Sequence, residues 1–125
     1  ALYCDLNNLK ETNDTLGHFA GDCLIIGFAD CLVKTFGQLT DCYRIGGDEF
    51  AVIFLDSLLD VHSLTQSLRI SIDEYNKKNS ECFISVAIGA AERKIRPNNQ
   101  TDVYDLILDA ENTMYSNKAK YKRII

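Results

Sequence analysis

The chain has 125 residues, of which 46% are hydrophobic and 25% are charged, as is typical of one globular domain with a buried core. Its formal net charge of −5 and the scatter of its lysines disfavour a nucleic-acid-binding domain. There is no run of about 18 apolar residues and no charged leader, so we expect no membrane contact by this domain and no signal peptide. Five cysteines without a CxxC pair predict core thiols in a reducing compartment.

The chain opens on an apolar run, residues 1–4, that predicts a β-strand. Asp5 follows directly, which places a carboxylate at a strand end, where functional loops tend to begin. Residues 7–10 predict a polar bend or a short helix. Residues 12–18 are a dense run of turn-forming and hydrogen-bonding side chains.

A helix is predicted from Gly21 to Phe36, because the apolar residues recur at helical spacing and Gly37 supplies a stop. Asp22 falls in the first turn of this predicted helix. An acid there interacts favourably with the helix dipole and can cap free amide groups. A structural role for Asp22 therefore stands beside a functional one.

The central feature of the sequence is residues 42–55, two apolar runs joined by two glycines and two acids. This pattern predicts a β-hairpin whose tip carries Asp48 and Glu49, with glycine available for a positive φ in the turn. Both faces of the second run are apolar, so we expect that strand to be covered on both sides. The hairpin would hold two carboxylates at a sheet edge, as a solvated turn or as a functional site.

The remaining chain continues the alternation of strands and helices. Residues 60–79 predict an amphipathic helix, residues 82–88 a buried strand and residues 92–100 a polar loop. A helix is predicted from Thr101, and residues 123–125 could begin a last strand. This order, with a hairpin that supplies an antiparallel pair, predicts an α+β fold.

Four segments resemble the GGDEF family, whose members are bacterial diguanylate cyclases. Residues 44–50 read R-x-GGDEF, and residues 5–10 resemble the family's DxDxFK segment. Residues 13–22 resemble NDxxGHxxGD, and residues 114–122 resemble MYxAK followed by a basic residue. The resemblance covers nearly the whole chain. It implies a central, mainly antiparallel sheet flanked by helices, the ferredoxin-like core shared by nucleotide cyclases and polymerase palms.

The resemblance also implies the condensation of two GTP molecules into cyclic di-GMP, with release of two pyrophosphates. In such a reaction the 3′-hydroxyl of one GTP attacks the α-phosphorus of the other at a two-metal site, with Mg²⁺ or Mn²⁺. By resemblance, the metal ligands are Asp5, Asp48 and the backbone carbonyl of Leu6. Asp48 is also the candidate general base, Glu49 is a second acid of the metal site, and Lys10 stabilises charge on the phosphates.

The implied nucleotide contacts come from two regions of the chain. Asn13 and Asp22 would read the guanine edge, and His18 would lie against the nucleotide. A carboxylate that pairs with the N1 and N2 donors of guanine discriminates against adenine, which would leave the acid unpaired. Lys118 and Lys122 would hold the outer phosphates. One domain holds one GTP, so the resemblance implies a homodimer as the active species.

The sequence also departs from the family pattern. Asn7 replaces the family's second acid, Leu9 its phenylalanine and Lys122 its common arginine; the lysine keeps the charge but not the bidentate geometry of arginine. Residues 37–40 read GQLT where the family's inhibitory product site reads RxxD. We therefore predict that feedback inhibition through this site is absent.

We expect residues 1–125 to form a GGDEF domain without the helix and turn that open the family's domains. Family members usually follow a sensory or transmembrane module, so we expect such a module in the parent protein and a cytoplasmic location for this domain. Two alternatives stand beside the cyclase. One is a GGDEF domain that binds GTP as a sensor without catalysis, and the other is a different palm-like nucleotidyltransferase, such as a mononucleotide cyclase.

Overall fold

The computed structural model describes residues 1–56 and 58–124, and from residue 120 onward it describes the helical backbone alone. Within these residues, four strands and four helices follow one another. In chain order they are β1 (Leu2–Leu6), α1 (Leu9–Leu16), α2 (His18–Phe36), β2 (Cys42–Arg44), β3 (Glu49–Val52), α3 (Val61–Lys78), β4 (Val86–Ala90) and α4 (Gln100–Ile124).

The described strands form one antiparallel sheet in the order β2-β3-β1-β4. β1 is an inner strand, in which Leu2 pairs with Val52 of β3 on one side and with Ala90 of β4 on the other. Helices pack on this sheet, so the predicted α+β class with a mainly antiparallel sheet is confirmed.

Both faces of the sheet are covered. The larger core joins the sheet to α2 and α3, and its members include Leu2, Cys4, Phe28, Leu32, Phe50, Val52, Leu68 and Ile72. The smaller core joins the sheet to α4, and its members include Tyr3, Ala51, Ala87, Leu106, Ala110 and Met114. Alternate residues of β1 and β3 enter the two cores, as the two-residue period of a strand requires. The prediction that the second hairpin strand is covered on both sides is confirmed.

The predicted hairpin is formed by β2 and β3, and the N–H of Ile45 donates to the carbonyl of Glu49 at 2.8 Å across the turn. Neither Gly46 nor Gly47 has a positive φ, so the turn does not need glycine for its backbone angles. The expected position at a sheet edge is also wrong. Because β2 occupies the edge, Glu49 lies at the end of an inner strand, next to β1.

The run of turn-forming residues after β1 is largely helical, contrary to the prediction for residues 12–18. α1 covers Leu9–Leu16, with Leu9 buried, and it packs against α2. This packing outweighs the weak helix propensities of Asn, Asp and Thr. Gly17 separates the two helices with a φ of 90°, a left-handed conformation that favours glycine.

α2 begins at His18, three residues before the predicted start at Gly21, and it ends at Phe36 as expected. Asp22 therefore lies in the second turn of the helix. The N-cap position belongs to Gly17, so Asp22 does not cap the helix. Asp22 therefore has neither the first-turn position nor the capping role that the sequence allowed for it.

β4 begins at Val86 rather than at the predicted Cys82. The side-chain amide of Asn76 in α3 accepts a hydrogen bond from the N–H of Ile84 at 2.7 Å and donates one to its carbonyl at 2.9 Å. These two backbone groups are then unavailable for a strand ladder. Ile84 is thereby attached to α3, while the carbonyl of Ser85 accepts from the N–H of Asn7, directly after β1, at 2.9 Å.

α4 continues to Ile124, so the predicted last strand is wrong for Arg123 and Ile124. Ile125 lies outside the described residues. Neither glycine nor proline occurs after Thr101, so nothing in the sequence stops the helix before this point.

The start of α4 is anchored by an ion pair. Asp102 is 4% exposed, and it accepts hydrogen bonds from Nε of Arg96 at 3.0 Å and from the backbone N–H of Arg96 at 2.9 Å. The Arg96 guanidinium holds the pKa of Asp102 at about 2. The polar loop before α4 is thereby attached to the first turn of the helix.

No helix in the described part of the chain combines the length and the apolar character needed to cross a bilayer. All five cysteines lie within the described residues as free thiols. Cys4 and Cys31 are buried, as the prediction of core thiols requires, whereas Cys23 is exposed on α2. The prediction is therefore wrong for Cys23.

Candidate active site

The candidate site lies where the end of β1 meets the start of β3, its antiparallel neighbour. Asp5 of β1 pairs with Glu49 of β3, and the N–H of Leu6 donates to the carbonyl of Asp48 at 2.9 Å. The register of two inner strands thus brings together acids that are far apart in sequence.

Three carboxylates form a cluster at this point. The cluster contains one carboxylate oxygen from each of three residues, and the three oxygens lie within 4.8 Å of one another; the residues are Asp5, Asp48 and Glu49. Asp5 is 4% exposed, and its Oδ1 is buried without a hydrogen-bond partner. A buried carboxylate oxygen without a partner is energetically costly, so the cluster is suited to a cation.

The acid cluster fits a divalent metal ion of the kind that prefers oxygen ligands. Mg²⁺ is commonly held by one or two carboxylates together with phosphate oxygens and water. Asp5 and Asp48 supply such carboxylates, and the backbone of Leu6 lies beside Asp48. The unsatisfied Oδ1 of Asp5 is the observation that supports this fit.

One cation of the protein itself reaches the cluster. Nζ of Lys118, in α4, lies 2.8 Å from Oδ2 of Asp5, and both side chains are largely buried, with 21% and 6% exposure respectively. Burial raises the pKa of the Asp5 carboxyl above its ordinary value, and the ammonium of Lys118 partly offsets that effect. The pair places a positive charge from α4 directly at the acid cluster.

A tyrosine and an arginine complete the surroundings of the acids. The hydroxyl of Tyr3 donates a hydrogen bond to Oε2 of Glu49. The guanidinium of Arg44 donates to the carbonyls of Gly46 at 3.1 Å and Gly47 at 2.9 Å. Arg44 therefore braces the glycine turn that delivers the two acids of the hairpin.

The residues predicted to read guanine lie along the contact of α1 with α2. Asn13 of α1 packs against Gly21 of α2, where a Cβ would collide with Asn13 Oδ1 and lie 2.8 Å from its Cγ. Asp22 is the next residue and is exposed. His18 is exposed one helical turn before Asp22, which puts the two side chains on the same side of α2. The structure thus brings Asn13, His18 and Asp22 into one region.

Two of the predicted site residues stand apart from these contacts. Lys10 is exposed in the first turn of α1, directly after β1, and among the described residues it makes no hydrogen bond or ion pair with the acids. The side chain of Lys122 lies outside the described residues. The contacts proposed for both lysines stay predictions.

Comparison with known protein families shows which family the chain belongs to. The family model described as "Diguanylate cyclase, GGDEF domain" matches residues 1–123. The chain belongs to the GGDEF family. The resemblance predicted from the sequence is therefore confirmed, over the extent that the motifs indicated.

This GGDEF domain is similar to segments of longer proteins. The signaling protein YkoW of Bacillus subtilis is 33% identical over 97% of this chain, which spans 16% of YkoW. Diguanylate cyclase DgcS of Shewanella oneidensis is 30% identical over 94% of this chain, which spans 38% of DgcS. The chain thus spans well under half the length of either relative.

Solved structures support the fold. The crystal structure of the GGDEF domain of DgcB from Caulobacter crescentus, in complex with c-di-GMP, matches with a TM-score of 0.75 at 26% identity, over 95% of this chain and 71% of that one. The predicted palm-like α+β fold of nucleotide cyclases is therefore confirmed.

Sequence reasoning missed Tyr3, and it assigned no role to Arg44. Tyr3 lies two residues before Asp5, so the period of a β-strand places both side chains on one face. That spacing was the available signal. For Arg44, the only signal was its place before the glycines of the turn.

Proposed function

We propose that this GGDEF domain is a diguanylate cyclase that condenses two GTP molecules into cyclic di-GMP and two pyrophosphates. The observation that carries the proposal is the cluster of Asp5, Asp48 and Glu49, with Lys118 bonded to Asp5. Acids that fit a divalent cation, next to a lysine, provide what transfer of a nucleotidyl group requires. Membership of the diguanylate cyclase family supports this choice of reaction.

The metal ions are proposed to be Mg²⁺ or Mn²⁺, held by the carboxylates of Asp5 and Asp48 and by the backbone carbonyl of Leu6. Glu49 is the further acid of the same site. When bound, such ions neutralise charge on the phosphates and make a hydroxyl more nucleophilic.

In each of the two bond-forming steps, the 3′-oxygen of one GTP bonds to the α-phosphorus of the other. The bond from that phosphorus to the bridging oxygen of the β-phosphate breaks, and pyrophosphate leaves. The proton of the 3′-hydroxyl passes to the carboxylate of Asp48. Lys10 stabilises the charge that develops on the phosphates, and Lys118 and Lys122 hold the outer phosphates.

Guanine is proposed to be read by Asn13 and Asp22, with His18 against the nucleotide. Asp22 is exposed, and no hydrogen bond in the described part of the chain uses its carboxylate, so the group is available to pair with N1 and N2 of guanine. Adenine lacks that pair of donors, so the site favours GTP over ATP.

One domain carries one set of these groups, so we propose a homodimer in which two domains face each other. We further propose that the domain works in the cytoplasm and is controlled by a sensory module of a longer parent protein. The free cysteines support a reducing compartment. The small shares of YkoW and DgcS that the chain spans support a longer parent.

The first test compares Asp48→Asn with a matched control, Asp73→Asn. Both changes remove one negative charge, but Asp73 is exposed on α3 and belongs to no part of the site. The protein is incubated at high concentration with GTP and Mg²⁺, and cyclic di-GMP is measured by mass spectrometry. We expect Asp48→Asn to lower the rate by about 10²- to 10⁴-fold, as for loss of a general base, and Asp73→Asn to leave it unchanged.

Asparagine at position 48 keeps the backbone carbonyl that accepts from Leu6, so the fold should persist. Wild-type protein that binds GTP in calorimetry yet forms no cyclic di-GMP would contradict the cyclase and indicate a GTP sensor. A mononucleotide product would indicate a different nucleotidyl cyclase.

A further inference from the structure

Tyr3 is a polar side chain in an apolar setting. It is 3% exposed, and it lies in the smaller core between the sheet and α4, where several of its neighbours are alanines. Its backbone pairs with Ala51 on one side and with Gly89 on the other. Packing and strand register therefore fix the ring, and with it the direction of the phenol hydroxyl.

The hydroxyl of Tyr3 donates its hydrogen bond to Oε2 of Glu49. A tyrosine hydroxyl placed in a core needs such a partner, and here the partner is one of the three acids of the cluster. Tyr3 and Asp5 lie on the same face of β1, because they are two residues apart. The hydrogen bond thus connects the rigid core to the acid site.

Glu49 has the longest side chain of the three acids in the cluster. The carboxylate of Asp5 is held by Lys118 at 2.8 Å. Glu49 is half-buried, and its side chain has more rotatable bonds than that of aspartate. A carboxylate accepts several hydrogen bonds, so a bond at Oε2 fixes the group and leaves acceptor capacity for a ligand.

We propose that Tyr3 is a positioning residue, whose buried hydroxyl holds the Glu49 carboxylate in the orientation that the metal-binding acid cluster requires. The inference rests on the proposed cyclase function for its catalytic consequence. Its structural part, that Tyr3 sets the metal affinity through Glu49, is independent of whether cyclic di-GMP is the product.

The test is Tyr3→Phe, which removes the hydroxyl and keeps the ring. The matched control is Tyr104→Phe, because Tyr104 is 67% exposed on α4. Mn²⁺ affinity is measured by electron paramagnetic resonance in the presence of 3′-deoxy-GTP, which lacks the attacking hydroxyl. We expect Tyr3→Phe to weaken Mn²⁺ binding by about 10- to 100-fold, the usual effect of losing a group that orients a metal ligand. Tyr104→Phe should not change it.

Catalysis gives a second readout in the wild type and both variants. We expect Tyr3→Phe to raise the Mg²⁺ concentration needed for half-maximal rate and to lower kcat, with little change in KM for GTP at saturating Mg²⁺. In a Glu49→Ala background, which removes the acceptor, loss of the hydroxyl should have no further effect on Mn²⁺ affinity, because residues that act as one unit are not additive. If Tyr3→Phe does not fold, Tyr3→Met makes the same test, since an unbranched apolar side chain fills the core position without a hydroxyl.

The outcomes separate the two proposals. Wild-type Mn²⁺ affinity and kcat in Tyr3→Phe, even with a lower Tm, would overturn the positioning role and leave Tyr3 as a core residue. Equal losses from Tyr3→Phe in the wild-type and Glu49→Ala backgrounds would also overturn it. Wild-type protein without cyclic di-GMP would overturn the proposed function, while the Mn²⁺ titrations would still decide the role of Tyr3.

Discussion

At the scale of single residues, the site depends on its polar side chains and also on the lack of a side chain at Gly21. Gly21 has no Cβ, and this lets Asn13 of α1 lie against α2, next to Asp22. The proposed guanine contacts therefore depend on a glycine inside a helix. Glycine there costs about 0.8–1 kcal/mol in helix propensity relative to alanine, so its presence calls for a local steric reason such as this one.

We predict that Gly21→Ala weakens GTP binding without unfolding the domain. The new methyl group would displace the Asn13 amide, which is half-buried and lies at the end of a rotatable side chain. Loss of one hydrogen bond of about 0.5–1.5 kcal/mol corresponds to roughly a two- to tenfold rise in KM for GTP. Steady-state kinetics measure this, and circular dichroism melting tests the fold.

The control for this prediction is the pair of variants Asn13→Ala and Gly21→Ala/Asn13→Ala. If Gly21 acts through Asn13, the double variant should match Asn13→Ala, because the two changes remove the same contact. An unchanged KM in Gly21→Ala would show that Asn13 does not contact the nucleotide or that α1 shifts to accommodate the methyl group.

At the scale of elements, the position of α4 connects the sheet to the site. Gly89 of β4 lies against the helix, and a Cβ there would collide with backbone atoms of Ala110 and Met114 and lie 2.8 Å from the Met114 Cα. Lys118 follows Met114 by one helical turn and bonds to Asp5. The close approach of β4 and α4 therefore also sets the distance from Lys118 to the acids.

We predict that Gly89→Ala destabilises the domain by about 1–3 kcal/mol, the usual cost of overpacking, because backbone atoms of α4 cannot rotate away as a side chain can. Urea denaturation measures the free energy of unfolding. The matched control is Gly47→Ala, since a Cβ at Gly47 meets nothing within 4 Å and its φ is not left-handed. Equal stability of the two variants would contradict the tight packing of α4 on β4.

At the scale of the whole molecule, the sheet separates two cores and presents one acid cluster at the end of its inner strands. The described chain contains one such cluster, with one set of groups proposed to read guanine. Two GTP molecules must meet to form cyclic di-GMP. A single domain therefore supplies half of what the proposed reaction needs.

We predict that specific activity falls on dilution and reaches a plateau at high protein concentration, because product requires two domains. The measurement is cyclic di-GMP per unit protein across about a thousandfold dilution, with inert carrier protein added to prevent adsorption. Excess Asp48→Asn protein should lower cyclic di-GMP and cause a linear dinucleotide to accumulate, whereas excess Asp73→Asn should not. Flat specific activity across the dilution would remove the dimer requirement.

Much of the fold could be predicted from local pattern alone. α3 and the body of α2 follow from apolar residues at helical spacing, since a helix with one apolar stripe has one face to bury. The secondary-structure predictions were wrong where a group distant in sequence competes with the local conformational preference. The local pattern of residues 12–18 is typical of turns, but the packing of α1 on α2 makes most of them helical. The local pattern of residues 82–85 is typical of a strand, but Asn76 binds both backbone groups of Ile84.

The sequence by itself determined the membership of the GGDEF family, the α+β class and the identity of the acids, because motifs and periodicity are properties of neighbouring residues. Only the tertiary structure decided which groups meet. The register of β1 with β3 sets Asp5 opposite Glu49, the packing of α4 brings Lys118 to Asp5, and the core directs the hydroxyl of Tyr3 to Glu49. Such contacts depend on strand register and helix position, which arise when the whole chain buries its apolar surface at once.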